Sequence, residues 1–176
     1  IQMINVYENV LEEHVALGIH ELIKNVSWKY DYPSNTSKPD RHWHVLCGVD
    51  NDVFFDYDWI STIWKTVINK YDFKNNFNVQ KFRRAYMNAH DYGTEPQMHF
   101  DDGDFTMIYY PRTDWKLEWG GGTLIVEDGV NHLVDYKPNS LVIFDANLMH
   151  SAQVVSKSCH ELRTVVVFKC DKDVVV

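Results

Sequence analysis

Apolar residues at Leu11, Val15, Ile19, Leu22 and Val26 recur at helical spacing and predict a helix over 11–24. A second stripe, Ile60, Ile63, Trp64, Val67 and Ile68, predicts another over 57–71. Between them the polar, proline-bearing "DYPSNTSKPDRHW" reads as a connection, flanked by predicted strands at 28–32 and 43–49. From Val79 the texture changes to short β-prone runs parted by turn residues. Strands are predicted at 81–88, 97–101, 105–110, 122–126, 131–133, 140–145, 150–154 and 162–169. Eight short strands over about ninety residues describe a sandwich or jelly roll, with "EDGVN" and "YKPNS" as tight turns. The expected class is α+β, mainly β, with the helices of the first half packed outside one β core. No repeat or linker divides the chain, so residues 1–176 are expected to form a single domain: helical support and rim over 1–78, β core over 79–170.

Bulk composition narrows the function classes. Three cysteines, Cys47, Cys159 and Cys170, form no close pair, which fits a reducing compartment better than a disulfide framework. No stretch approaches the roughly 20 apolar residues of a membrane span, and "IQMINVYENV" lacks the basic start and apolar middle of a secretion signal. A cytoplasmic protein is the expectation. The formal charge of -8 opposes phosphate backbones, and only the isolated "KFRR" runs against it, so nucleic acid is not an expected partner. Six Trp, ten Tyr and nine Phe supply a heavy core and aromatic pocket walls.

The chemistry gathers in the strand-rich half. Strand residues two apart share a face about 6 to 7 Å from one another, so His99 and Asp101 of "HFD" can reach one ion together, with Phe100 turned away to pack. A third ligand must come from another strand, and His150 in "NLMHSAQVV" opens one. Two imidazoles and a carboxylate make the facial triad of non-haem Fe(II), which leaves coordination positions open for other ligands. Arg163, in "HELRTVVVF", is an arginine in an apolar strand and asks for an anion.

At these residues the chain resembles the iron(II) and 2-oxoglutarate-dependent oxygenases, and among them the prolyl 4-hydroxylase-like group. The resemblance covers 79–169 best. It rests on "HFD", "YYPRTDW" at 109–115, "GGGTLIV" at 120–126, "MHS" at 149–151 and "ELRT" at 161–164, whose order and spacing are similar to the hypoxia-type prolyl hydroxylase pattern. It implies a double-stranded β-helix core, with Fe(II) held by His99, Asp101 and His150 and with 2-oxoglutarate and O₂ as cosubstrates. Arg163 would receive the distal carboxylate of 2-oxoglutarate, helped by Tyr110. Leu124 would form an apolar wall and Tyr86 another cosubstrate-facing group. The implied reaction hydroxylates an unactivated C–H bond with release of succinate and CO₂, and it allows ascorbate as an accessory reductant. The resemblance favours a prolyl residue in a peptide or protein as substrate. Free proline or another small molecule is the alternative, and a noncatalytic metal-binding or interaction module is the rival class. A nucleic-acid demethylase with the same iron site is opposed by the acidic charge. Asp101 argues against halogenation, which needs that coordination position for halide. The chain departs from the pattern at Val167, where a threonine is expected, at Lys169, where a bulky aromatic is expected, and in a long 150–163 segment, expected to project near the rim.

Other residues receive plainer readings. His42 and His44 flank Trp43 without an accompanying metal pattern and read as packing or rim groups; His90 reads as part of a solvated loop; His14 and His20 read as helix-surface residues; His132 and His160 have no stronger claim. Trp115 and Trp119 read as a substrate edge or a cap on the barrel end, and Gly120 to Gly122 as tight passage into a strand rather than a phosphate loop. Polar rim segments at 34–41, 74–78 and 88–95 are candidates for substrate contact.

Overall fold

The structure is a computed structural model that describes residues 4–33 and 40–173. In chain order its elements are β1 (Ile4–Tyr7), α1 (Glu13–Lys24), β2 (Lys29–Tyr32), β3 (His42–Val49), β4 (Asp52–Val53), α2 (Trp59–Lys70), α3 (Phe73–Phe77) and β5 (Phe82–His90). There follow β6 (Phe105–Tyr110), β7 (Thr123–Glu127), β8 (Val130–Val134), β9 (Ser140–Asp145), β10 (Met149–Ala152) and β11 (Arg163–Cys170). The large sheet runs β1-β9-β6-β11-β5-β3-β2, with β4 paired to β3, and a small sheet runs β10-β7-β8. All strand pairings among the described residues are antiparallel, giving the β-dominant α+β architecture of a double-stranded β-helix.

Period-two alternation divides the large sheet into two chemically distinct faces. Met107 and Tyr109 of β6 and Val166, Phe168 and Cys170 of β11 pack with Ile19 and Ile23 of α1 and Ile60, Ile63 and Val67 of α2. Their neighbours Ile108, Tyr110, Val165 and Val167 point the other way, into a second apolar cluster with Ile125 of β7 and Val142 and Phe144 of β9. The helices therefore cover one face of the large sheet, as their stripes predicted, while the opposite face shapes the inter-sheet space.

The structure corrects three element expectations. Residues 97–101 form no regular strand: a single bridge joins His99 to His150 through reciprocal backbone bonds of 2.9 Å, after which the Asp101 N–H turns to the Ala146 carbonyl at 3.0 Å. Strand β5 continues through His90, because Ala89 and His90 still pair with Thr164 and Arg163. Ile4–Tyr7, assigned no strand from sequence, pairs with 141–144 at the sheet edge. Segment 74–78 lies in and just after α3, whose Phe73 is buried in the helix-side core, and lines no part of the cavity described below. Of the rim segment 34–41, residues 34–39 lie outside the described residues. No helix among the described residues is long and apolar enough to cross a membrane.

Candidate metal centre

Between the sheets lies a cavity of about 850 Å³. At one end, ligand atoms of His99, Asp101 and His150 all fall within 4.8 Å of one another. The backbone bridge brings the two histidines together, and their rings lie 4.5 Å apart by centroid. Each imidazole Nδ1 sits against the carbonyl two residues before it, Gln97 at 2.9 Å for His99 and Leu148 at 2.8 Å for His150. A carbonyl only accepts, so Nδ1 carries the proton and Nε2 presents its lone pair. Both Nε2 atoms face Asp101, at 3.6 Å from Oδ1 for His99 and 3.0 Å from Oδ2 for His150. Burial pushes each imidazole down to about 4, with the His150 ring adding to the effect at His99. Both rings are therefore neutral near pH 7, the state a metal ligand requires.

Asp101 is itself held. The Thr106 hydroxyl donates to its Oδ2 at 2.6 Å, and the buried Lys169 Nζ, whose pKa burial holds well below its ordinary value, contacts the same oxygen while donating to Thr106 Oγ1 at 3.2 Å. Two neutral imidazoles oriented by backbone carbonyls and a carboxylate with one oxygen free of these bonds make a donor set suited to a divalent metal with open positions. Phe100 does not pack away from the site as expected; it is 59% exposed and lies on the cavity wall.

Arg163 marks another part of the cavity. It is 2% exposed, donating through Nε to the Gly121 carbonyl and through Nη2 to the Gly122 carbonyl at 3.2 Å. No carboxylate ion-pairs with it among the described residues, and burial lowers its pKa. The glycine run explains its approach. Gly121 has φ +77°, and a Cβ there would stand 3.0 Å from the Trp115 ring and 3.2 Å from Arg163 Cδ.

The structure brings His99, Asp101, His150, Arg163 and Tyr86 to this one cavity. Tyr110 is not in its lining but lies behind it, its hydroxyl 2.6 Å from the Thr123 hydroxyl, which is. Leu124 is corrected: alternation along β7 buries Thr123 and Ile125, leaving Leu124 half-buried and outside the lining, so Thr123 occupies the wall expected of Leu124. The 153–162 segment also departs from expectation. It lines no part of the cavity, and it packs beside the glycine turn, where Gly120 bridges Val155 and Arg112 binds Glu161 at 2.9 Å. Trp115 is buried and donates to the Gly120 carbonyl at 2.9 Å, and neither it nor Trp119 reaches the cavity. His20 is buried rather than exposed, its Nδ1 accepting from the Thr113 N–H at 3.2 Å.

Several cavity residues were given no part in the metal or cosubstrate site from sequence, Asn88 and His90 falling only within the 88–95 rim segment and His42 and His44 only among the packing or rim groups. Lys169 lies on the face of β11 that also carries Arg163, Val165 and Val167; Asn88 and His90 share the Tyr86 face of β5; His42 and His44 oppose them on β3. Counting by twos from Arg163 or Tyr86 is the signal that finds them. His44 Nδ1 bonds the Asn88 side-chain oxygen at 2.8 Å and its ring stacks on Tyr32 at 3.9 Å, whereas His42 and His90 are buried with ring centroids 4.9 Å apart.

The sequence matches no protein-family model and no curated protein. Solved structures give the opposite result. A Burkholderia pseudomallei oxidoreductase of the 2OG-Fe(II) oxygenase family is similar with a TM-score of 0.72 at 13% identity, over 97% of this chain and 86% of that one. A Trichoplax adhaerens prolyl hydroxylase in complex with a hypoxia inducible factor peptide fragment is similar at 0.65 and 14% identity, over 96% and 84%. SnoK, a non-heme alpha ketoglutarate dependent carbocyclase from nogalamycin biosynthesis, is similar at 0.67 and 11% identity, over 97% and 80%. The chain thus has the fold of the 2-oxoglutarate and Fe(II) oxygenases, with a His-Asp-His cluster of facial-triad type on the wall of its inter-sheet cavity.

Proposed function

We propose that this chain is an Fe(II)- and 2-oxoglutarate-dependent dioxygenase that hydroxylates an unactivated C–H bond, with a prolyl residue of a peptide or protein as the substrate. One observation carries the reading: a His-Asp-His cluster with neutral imidazoles and a buried arginine without a carboxylate partner among the described residues line the same cavity. His99, Asp101 and His150 would hold the metal through Nε2, a carboxylate oxygen and Nε2. Arg163 would neutralise the distal carboxylate of 2-oxoglutarate. Tyr86 would line the cosubstrate's path, and Tyr110 would act one layer back, fixing the Thr123 hydroxyl. When bound, iron would let O₂ act as the oxidant, with 2-oxoglutarate giving two electrons as it is decarboxylated to succinate, and so supply the oxidising power that C–H cleavage demands and that no side chain possesses. The protein's part is to keep both imidazoles unprotonated, to fix Asp101 through Thr106 and Lys169, and to surround the reacting atoms with Ile108, Val165 and Val167.

The prolyl assignment is supported by the order of "HFD", "YYPRTDW" and "GGGTLIV" and by the likeness to a prolyl hydroxylase fold. A small-molecule substrate is favoured by a different observation. Lys169 sets a buried amino group beside Asp101, where the prolyl hydroxylase pattern has an aromatic ring, and a hydrogen-bond donor there suits a small polar substrate. Anaerobic titration of the Fe(II)-loaded protein with 2-oxoglutarate should produce a saturable visible charge-transfer band that Asp101→Ala, still folded, does not form. Absence of the band in the unsubstituted protein with iron bound would reject the reading. Substrate-dependent succinate release is then compared between proline-containing peptides and free amino and hydroxy acids, and stimulation by the acids alone would reject the prolyl assignment.

A further inference from the structure

Arg163 has a neighbour whose chemistry the reading above leaves unused. In the β5–β11 register Arg163 stands directly across from His90, and the β3–β5 register, with Trp43 opposite Ala89, carries the same row on to His42. His90 is 5% exposed, His42 is 1% exposed, and both line the cavity. Neither ring nitrogen of either residue has a hydrogen-bond partner among the described residues. A neutral imidazole keeps one N–H donor and one acceptor, and both are normally satisfied when buried. Two adjacent imidazoles depart from that rule beside a guanidinium that lacks a carboxylate. Such a departure points to a ligand that supplies the missing partners.

The class of ligand follows from the donors. Arg163 gives Nε and Nη2 to the Gly121 and Gly122 carbonyls, so it cannot offer its full fork to an anion. A carboxylate accepts about four hydrogen bonds. The remaining guanidinium donors leave acceptor capacity over, and the side chain directly across the strand pair is His90. Resting on the proposed 2-oxoglutarate chemistry, we infer that His90 is a cosubstrate-positioning residue: its ring N–H donates to the same distal carboxylate that Arg163 neutralises, while His42 packs edge-on behind it. The subsite would select a keto acid bearing a second carboxylate over one ending in an alkyl group.

The discriminating pair of ligands is 2-oxoglutarate and 2-oxopentanoate, which share the chelating end and differ at the distal carboxylate. Both are titrated anaerobically into Fe(II)-loaded protein, following the charge-transfer band. His90→Phe should weaken 2-oxoglutarate on the order of tenfold, the worth of a charge-assisted hydrogen bond, and leave 2-oxopentanoate unchanged. His90→Gln, which keeps an N–H donor, should recover most of the loss. Unchanged 2-oxoglutarate affinity in His90→Phe, or equal weakening of both keto acids, would overturn the inference. Should phenylalanine prevent folding, the unsubstituted Zn(II)-loaded protein decides. Saturating 2-oxoglutarate, but not 2-oxopentanoate, should shift the ring ¹⁵N resonances of His90, identified by their loss in His90→Gln, and the absence of a shift overturns it. Failure of the unsubstituted protein to bind either keto acid would remove the 2-oxoglutarate reading itself and the subsite with it.

Discussion

Lys169 is the residue whose environment most constrains the chemistry. Its amino group is buried against Asp101 and bonded to Thr106, so one carboxylate oxygen is already engaged by Nζ and a hydroxyl. Burial, with the Arg84 guanidinium nearby, holds the Lys169 pKa well below its ordinary value, so the proton that pairs it with Asp101 is loosely held, and a divalent ion gathered by His99, Asp101 and His150 would compete with that proton for the carboxylate. Lys169→Met should therefore tighten Mn(II) binding by on the order of tenfold in calorimetry. The same change leaves Asp101 buried without its cation, and loss of one partner of a buried pair destabilises by about 3 kcal/mol. Metal-free Lys169→Met should then melt below the unsubstituted protein, with the gap narrowing as Mn(II) is added. Unchanged or weaker Mn(II) binding would show that Lys169 does not compete for the carboxylate.

At the scale of elements, strand register and one glycine turn set the site. Strand β11 sends Arg163, Val165, Val167 and Lys169 to the cavity and Val166, Phe168 and Cys170 to the helices, so a one-residue slip would exchange cavity and core. The turn before β7 positions Arg163 because Gly121 combines φ +77° with contacts that a Cβ would violate. Gly121→Ala should lower stability by about 1 to 3 kcal/mol through backbone strain and weaken 2-oxoglutarate while sparing Mn(II) affinity. Gly129 is the control, because its φ is +76° but nothing lies within 4 Å of an added Cβ. Gly129→Ala should carry the strain alone and leave 2-oxoglutarate binding intact. Calorimetric titration with both ligands separates the two, and equal 2-oxoglutarate losses would show that Arg163 is not positioned by the turn. These elements also mark what sequence could reveal. "HFD", His150 and Arg163 were legible because each combines an unusual residue type with a β context. Thr123 was missed because similarity of order does not say which face a strand residue takes, and the assignment fell on Leu124. His90 was read as loop because the strand was ended at Asn88, although its backbone still pairs across to Arg163. Ile4–Tyr7 was passed over because four residues carry little alternation and gain their strand only from β9.

Across the whole molecule, enclosure of imidazoles between two sheets couples the site to stability. Burial pushes His42, His99 and His150 each down to about 4, at His42 against the opposing pull of Asp40, and pushes His90 well below its ordinary value through burial and the nearby Arg163. An unfolded chain would hold these residues near their ordinary 6.5. Between those limits the unfolded state binds more protons than the folded one. The stabilisation is thus complete above pH 6.5 and is lost as pH falls toward 4, at up to about 1.4 kcal/mol per pH unit for each imidazole. Asp114, held low by Arg112, adds a stabilisation that is complete above its ordinary value of 3.8 and is lost only as pH falls below it, outside this window. Lys169, whose pKa burial also holds well below its ordinary value, makes stability go on rising with pH above this window, so urea unfolding of metal-free protein should give a steeper fall from pH 6.5 to 4.5 than from 8 to 7. His42→Gln removes one titrating ring without touching the metal cluster, and should make that fall shallower by up to about 1.4 kcal/mol per pH unit. Saturating Zn(II) protects His99 and His150 from protons, so it should move their share of the fall to lower pH and leave the His42 share in place. A profile flat from pH 7 to 5 in metal-free protein would mean that these rings protonate as freely folded as unfolded, and the neutral Nε2 donors on which metal binding depends would lose their physical basis.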